Sequence, residues 1–287
     1  MPIERLTTPF DPRVADYRHI AEADLVKSRG LFVAEGRLVV KRLIEDGHRF
    51  RSVLVNDTAY RSLEAALIEL AQHVPVYICE TTDLVEITGY DIHRGCLALV
   101  ERPTARTSGS LLAEVTQTRK SRTIIVILEG VANADNVGGV FRNAAAFSSD
   151  AVLLSPTCCD PLYRKAIRTS MASTLRVPFA RIEKWPDDLA QLRDHGFTIA
   201  ALTPREPSVT LSEFSTAPPS ARLALLVGTE GPGLTTEAEA AADVRVRIPI
   251  APEVDSLNVA VAVGIALHRL CDAFSVAKLA SGDRSSS

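Results

Sequence analysis

An excess of charge of either sign is missing from this chain. Its 287 residues carry 32 Lys and Arg against 35 Asp and Glu, a net charge of −3. No nucleic-acid binder is announced by bulk charge, so any surface that takes a phosphate backbone has to be local. Long apolar runs are missing too: the longest, near the C-terminus, is about a dozen residues, too short to span a bilayer. The opening MPIERLTTPFDPRVADYRH holds no apolar core of a secretory signal, and a cytoplasmic protein without a membrane partner is the expectation. Cysteine is scarce and not spaced as metal ligands are. Cys79, Cys96, Cys158, Cys159 and Cys271 are odd in number and two are adjacent, which suits a reducing compartment and predicts neither a disulfide framework nor a metal site. What remains is an ordinary globular balance, 46% hydrophobic and 23% charged, long enough for one large or two medium domains.

Short apolar runs alternate with helical patterns from Leu31 to Val100. LFVA reads as a strand, EGRLVVKRLIEDG as a helix stopped by Gly47, then SVLVND, VPVYICE and GCLALVE as strands with helices between them. ERPTARTSGS follows, rich in Pro, Thr, Ser and Gly, and reads as a linker. Beyond it lie TIIVIL, AVLLS, LRVPF, FTIAALT, RLALLVG and VRVRIPI, most of them separated by helical segments. Continuous apolar runs of this kind mark strands buried on both faces, hence an α/β protein with a parallel sheet covered on both sides. The division expected is a small α/β domain at 1–105, a linker at 106–121, a parallel-sheet domain at 122–278 and a disordered tail at 279–287.

Ligands of open parallel sheets sit beyond the carboxyl ends of the strands. Three loops there draw notice. The first is EGVANADNVGGVFRNAAAF, in which Asn136 or Asp135 can cap a helix. On that helix Arg142 is neighboured at three and four residues by Gly138, Gly139, Ala145 and Ala146. Two glycines in a first helical turn cost about 1 kcal/mol each, so something must approach closely there, another backbone or a ligand. The second loop is LLVGTEGPGL. It lacks the lysine of a phosphate loop, and Glu230 at its centre would repel phosphate and suit a cationic or hydroxyl-rich ligand instead. The third is RIPIAPEVDSLNVAVAVGIALHRL, where Ser256 can cap an apolar helix and Asn258 lies in its first turn. No loop matches the G-x-G-x-x-G spacing of a dinucleotide site, which counts against a nucleotide-dependent oxidoreductase. Local charge offers one more feature: between Arg164 and Lys184 six basic residues face a single acid, Glu183. That is either a solvated face or a strip that neutralises a nucleic-acid backbone.

Taken together and in order, N-x-G-x-x-x-R (Asn136, Gly138, Arg142), G-x-E-G-x-G-L (Gly228 to Leu234) and I-P-x(6)-S-L-N-V (Ile248 to Val259) resemble the three motifs of the SpoU/TrmH branch of the SPOUT RNA methyltransferases. The resemblance covers about Thr123 to Phe274. The preceding region, with FVAEGRLVV and HRGCLALV, is similar to the L30e/L7Ae-like substrate-binding domain that often precedes it. The resemblance implies a deep trefoil knot in the C-terminal domain, a homodimer, and S-adenosylmethionine held at Gly228, Ile248, Leu257, Thr203 and Ile250. It implies methylation of a ribose 2′-hydroxyl in RNA, ribosomal rather than transfer RNA. Arg142 matches the family's catalytic arginine, with Asn136, Glu230, Ser256 and Asn258 around it. The standing positive charge of a guanidinium argues for gripping a phosphate and orienting the hydroxyl rather than for a free base; the family's alternative is a phosphate-assisted arginine base. Arg164, Lys165 and Arg168 are the candidate RNA contacts. The chain departs from the family where a small residue or Gly often follows I-P-hydrophobic and a Ser often follows S-L-N-V: here the loop reads A-P-E-V-D, with acids Glu253 and Asp255, and Ala260 follows Val259. The alternative is a non-catalytic RNA- or ribosome-binding protein that keeps the fold; degenerate motifs would favour it, and here the motif residues are all present.

Overall fold

The computed structural model describes residues 3–18, 22–89, 92, 95–117, 122–216 and 220–280. Residues 118–121 of the expected linker, His93 and Arg94 of the HRGC motif and the end of the expected tail (281–287) lie outside the described residues. The chain forms two compact units, Met1–Thr104 with Asp160–Ala172, and Ala105–Cys159 with Ser173–Ser287.

The first unit holds a five-stranded mixed sheet of β1 (Ile3–Arg5), β2 (Leu31–Glu35), β3 (Phe50–Asn56), β4 (Val76–Cys79) and β5 (Cys96–Glu101), in the order β1-β4-β3-β5-β2. Strand β4 runs parallel to β1 and β3, while β5 runs antiparallel to β3 and β2. Tyr17 is fully buried against this sheet; its hydroxyl donates to the Ser52 carbonyl (2.9 Å) and accepts from the Leu99 amide (3.2 Å). Burial without those partners would cost the hydroxyl several kcal/mol (roughly 2–7).

Two boundaries differ from the sequence reading. Asp160–Ala172 leaves the second half of the chain to join the first unit, and with it go Arg164, Lys165 and Arg168. The helix Arg164–Thr169 turns two of them onto Glu35 at the end of β2: Arg164 Nη1 and Arg168 Nη1 each lie 3.3 Å from its carboxylate, which is 2% exposed. A buried carboxylate must be paired, and this pairing uses part of the expected RNA strip as internal structure. Lys165 and Arg168 remain exposed. The second difference is the linker. Arg106–Thr107 is a strand and Ser108–Gln117 a helix, both of the second unit, because Leu111, Leu112 and Val115 recur at helical spacing and bury.

The second unit is built on an eight-stranded sheet: β6 (Arg106–Thr107), β7 (Thr123–Leu128), β8 (Ala151–Leu154), β9 (Phe179–Arg181), β10 (Thr198–Leu202), β11 (Val209–Thr210), β12 (Arg222–Val227) and β13 (Val244–Arg247). Its order is β11-β13-β10-β12-β7-β8-β9-β6, and every pairing is parallel. Side chains alternate across a strand, so β7 feeds two cores. Ile124, Val126 and Leu128 join one with the helices Ala134–Ala146 and Val259–Ala280; Ile125 and Ile127 join the other with the helix Ser108–Gln117. The strand read in LRVPF lies further on, at Phe179–Arg181: Pro178 has no amide to donate, and only its carbonyl joins the ladder, accepting from the Val152 amide (2.9 Å).

Candidate active site

The helix Ala134–Ala146 starts two to three residues earlier than a cap at Asp135 or Asn136 would give. Its cap is Asn133, whose side-chain oxygen accepts from the amides of Asp135 (2.8 Å) and Asn136 (3.4 Å). Asn136 is thereby inside the helix and buried, free of capping duty. Gly139 has a packing reason. A Cβ there would stand 2.7 Å from the Cβ of Ala260 on the helix Val259–Ala280, and one at Gly264 would stand 3.0 Å from Asn143 Nδ2. The two helices meet at these glycines, and Asn143 Nδ2 donates to the Ala260 carbonyl across them (2.6 Å). The close approach expected beside Arg142 is that of the C-terminal helix, through the Cβ of Ala260.

This approach delivers the start of the C-terminal helix to Asn136. Asn258, not Ser256, is the cap: its Oδ1 accepts from the amides of Ala260 (3.0 Å) and Val261 (3.3 Å). Its Nδ2 donates to Asn136 Oδ1 (2.9 Å) and to Glu230 Oε1 (2.6 Å). One amide side chain thus joins all three motif loops. Its acceptor half fixes the helix and its donor half gathers one neutral and one carboxylate oxygen. Ser256 is exposed and stands two residues before the cap.

Beside this junction lies a cavity of about 260 Å³. Its walls come from the loops after β10, β12 and β13. Gly228, Ile248, Leu257, Thr203 and Ile250 all line it, as do Glu230 and Ser256. Asn136, Asn258 and Arg142 do not. Gly228 cannot be replaced: a Cβ would come within 2.3–2.4 Å of the Gly233 and Leu234 backbone, where the loop folds back through a bridge between Thr229 and Gly233. The hydroxyl of Thr203 is already committed, donating to Glu239 Oε1 (2.7 Å). Asp255, the acid that departs from the motif, is also in the lining.

No motif marks Glu129, the residue just after β7. Its buried carboxylate accepts from Trp185 Nε1 (2.6 Å) and from the amide (2.9 Å) and hydroxyl (2.8 Å) of Thr235. Thr235 in turn caps the helix Thr236–Ala240, so the far end of the glycine loop is anchored to the central strand. The signal was an acid closing an apolar strand just before a glycine.

Arg142 is exposed, with no hydrogen bond or ion pair to another described residue. A guanidinium so placed is available to an anion from outside. The cavity suits a different ligand. Apolar walls (Leu202, Val227, Ile248, Val259) combine with the carboxylates of Glu230 and Asp255, and the glycine loop allows a ligand to approach main chain. The one cation in the lining, Arg205, is paired with Glu239, so that set fits an amphipathic nucleoside carrying positive charge better than a polyphosphate. Among the described residues no group of three or more His, Cys, Asp or Glu is placed to hold a metal, and no helix is long and apolar enough to cross a membrane.

The model of the SpoU rRNA Methylase family matches residues 123–268. An uncharacterized tRNA/rRNA methyltransferase of Mycobacterium tuberculosis is 38% identical over 270 residues, 93% of this chain and 91% of the relative. Among solved structures, the AdoMet-bound rRNA methyltransferase from Sinorhizobium meliloti is 25% identical with a TM-score of 0.78, covering 93% of this chain and 97% of its own. An RNA 2′-O ribose methyltransferase shares the fold at a TM-score of 0.76 and 23% identity, covering 95% of this chain and 100% of its own.

Proposed function

The chain belongs to the SpoU rRNA methylase family, and on that premise we propose that it transfers a methyl group from S-adenosylmethionine to a ribose 2′-hydroxyl of structured RNA, ribosomal rather than transfer RNA. The observation that carries the reading is the single cavity wall that gathers Gly228, Ile248, Leu257, Thr203 and Ile250, with the Asn258 junction to Asn136 and Glu230 beside it. The AdoMet-bound rRNA methyltransferase among the similar structures supports both the donor and the RNA class.

When bound, S-adenosylmethionine supplies a methyl group on a sulfonium, a cation. Glu230 and Asp255 favour that positive charge in the cavity lining. The chain's other task is to prepare the acceptor. A 2′-hydroxyl is a weak nucleophile near neutral pH and must be oriented and relieved of its proton as it attacks. Gly228, Ile248, Leu257, Thr203 and Ile250 would hold the donor, which would supply its methyl group to the 2′-oxygen and leave as the neutral thioether, the hydroxyl proton passing to solvent. Arg142 holds the adjacent phosphate by charge-assisted hydrogen bonds, a task suited to an unpaired, exposed guanidinium. In this reading the protein is a homodimer, and Arg142 serves the cavity of the second copy. Val261 and Ile265, 50% and 41% exposed and one turn apart on the C-terminal helix, support such an interface. The reading includes the family's trefoil knot and its L30e-like substrate domain, with Lys165 and Arg168 as RNA contacts.

Calorimetry of the purified protein with S-adenosylmethionine tests the first step; no detectable binding sinks the proposal. Arg142→Ala is expected to cut transfer by on the order of 10²–10³ while cofactor affinity stays within about twofold. Full retained activity removes Arg142 from the site. Mass spectrometry of ribonuclease digests from deletion and parent strains reads out the modified nucleotide, and a deletion strain that loses no 2′-O-methyl mark refutes the acceptor. Val261→Glu is expected to yield a monomer by light scattering with little transfer.

A further inference from the structure

Arg205 is unassigned by the motifs, yet it lines the cavity and reaches across to the glycine loop. Its Nη2 donates to the Pro232 carbonyl (3.0 Å) and its Nη1 to the Leu234 carbonyl (3.2 Å). The same Nη1 pairs with Glu239 Oε1 at 3.2 Å. Glu239 is 5% exposed and sits on the helix that follows the loop, Thr236–Ala240. Its Oε1 also accepts from Thr203 Oγ1 (2.7 Å), and Arg245 Nε lies 3.6 Å from its other oxygen. The Thr203 hydroxyl accepts in turn from the Arg205 amide (3.3 Å). The result is a closed ring: end of β10, Arg205, glycine loop, the following helix, Glu239, and back to Thr203.

The ring has a physical task. Between Thr229 and Leu234 the loop contains Gly231 and Gly233, both at positive φ (86° and 74°). Glycines of this kind have many conformations to lose on ordering. An unrestrained loop would meet that entropy loss whenever a ligand binds, and a loop held beforehand has already met it. Glu129 holds the far end through Thr235. The carbonyls of Pro232 and Leu234 are held by Arg205 alone among the side chains described here. A planar guanidinium suits the purpose, because it can present separate N–H groups to two carbonyls and a carboxylate at once.

We propose that Arg205, oriented by Glu239 and Thr203, is a positioning residue that pre-forms the Gly228–Leu234 wall of the cavity and so sets affinity for the methyl donor. The inference rests on the assignment of that cavity to S-adenosylmethionine.

The test is Arg205→Met in the full-length protein, with three readouts. Hydrogen exchange of the unliganded protein is expected to speed up at residues 229–234 while the sheet amides of β7 and β12 keep their protection. The calorimetric Kd for S-adenosylmethionine is expected to rise about tenfold, the size of one lost hydrogen-bonded contact of about 1.4 kcal/mol. In the transfer assay the change is expected in the KM for the donor rather than in kcat, which a merely structural lesion would not separate. Arg205→Lys keeps the charge beside Glu239 but cannot fork to both carbonyls, and should fall between wild type and Arg205→Met. It also replaces Arg205→Met if that variant does not fold. Unchanged loop exchange, or a Kd within twofold of wild type, overturns the proposal. If the wild-type protein itself binds no S-adenosylmethionine, the cavity assignment fails, and loop exchange alone still decides whether Arg205 holds the wall.

Discussion

Replacing Gly139 with alanine sets two effects of known size against each other. Alanine is the better helix former by about 1 kcal/mol, so in an isolated helix the change would stabilise. Here the added methyl stands 2.7 Å from the Cβ of Ala260, where two carbons need about 3.5–4.0 Å. The helices must part by roughly 1 Å or bend, and overpacking of this kind costs about 1–3 kcal/mol. The obstruction is a Cβ fixed to backbone, so no rotamer change relieves it. The clash wins: Gly139→Ala should destabilise by about 1 kcal/mol, roughly 2–4 °C in melting temperature for a domain of this size. Ala260→Gly removes the opposing methyl at a cost of up to about 1 kcal/mol in helix propensity. The double variant Gly139→Ala/Ala260→Gly should then be more stable than the sum of the single changes by about 1–3 kcal/mol. Thermal unfolding of all four proteins closes the cycle. Coupling below the ~0.5 kcal/mol scatter of independent sites would refute the packing argument. So would a Gly139→Ala protein as stable as wild type. The single variant should also weaken cofactor binding, because Asn258 lies two residues before the displaced Ala260.

Three further outcomes are expected. Asn133→Ala removes the cap of the arginine helix and should cost about 1 kcal/mol in urea unfolding, whereas Asp135→Ala and Asn136→Ala should not show a capping loss. Gly228→Ala would drive a methyl to within 2.4 Å of the Gly233 backbone and should abolish S-adenosylmethionine binding by calorimetry in a protein whose far-ultraviolet dichroism is unchanged. Burial pushes the thiols of Cys79 and Cys96 up to about 12, so both stay protonated at pH 8 and should resist alkylation in the native state. The half-buried Cys159 and Cys271 should be modified first, as peptide mass spectrometry would read.

The three motif loops and the parallel-sheet half of the chain were legible because their signals are local. TIIVIL and RLALLV are continuous apolar runs, and such runs bury on both faces whatever surrounds them. The cavity residues Gly228, Ile248, Leu257, Thr203 and Ile250 came from the resemblance of the motifs to a known family, and all five line the cavity. The helix Ser108–Gln117 was hidden by the Thr, Ser and Gly ahead of it, although Leu111, Leu112 and Val115 carried a helical period. The strip at Arg164 to Arg168 was visible as charge, but the charge pattern was silent about the buried Glu35 that claims two of its arginines, 133 residues away for Arg168.

By itself, then, the sequence determined periodicity, strand burial and the order of three glycine- and asparagine-bearing loops, since these depend on residues within a few positions of one another. Tertiary structure decided which of several chemically equivalent groups takes each role. Asn133 rather than Asn136 caps one helix, and Asn258 rather than Ser256 caps the other, because only the packed chain shows which amides each oxygen can reach. Gly139 is required by Ala260, 121 positions later, and Arg205 becomes a clamp only where Glu239 and the glycine loop are folded against it. Hydrogen bonds and contacts act over a few ångströms in space, and separation along the chain carries no record of that distance.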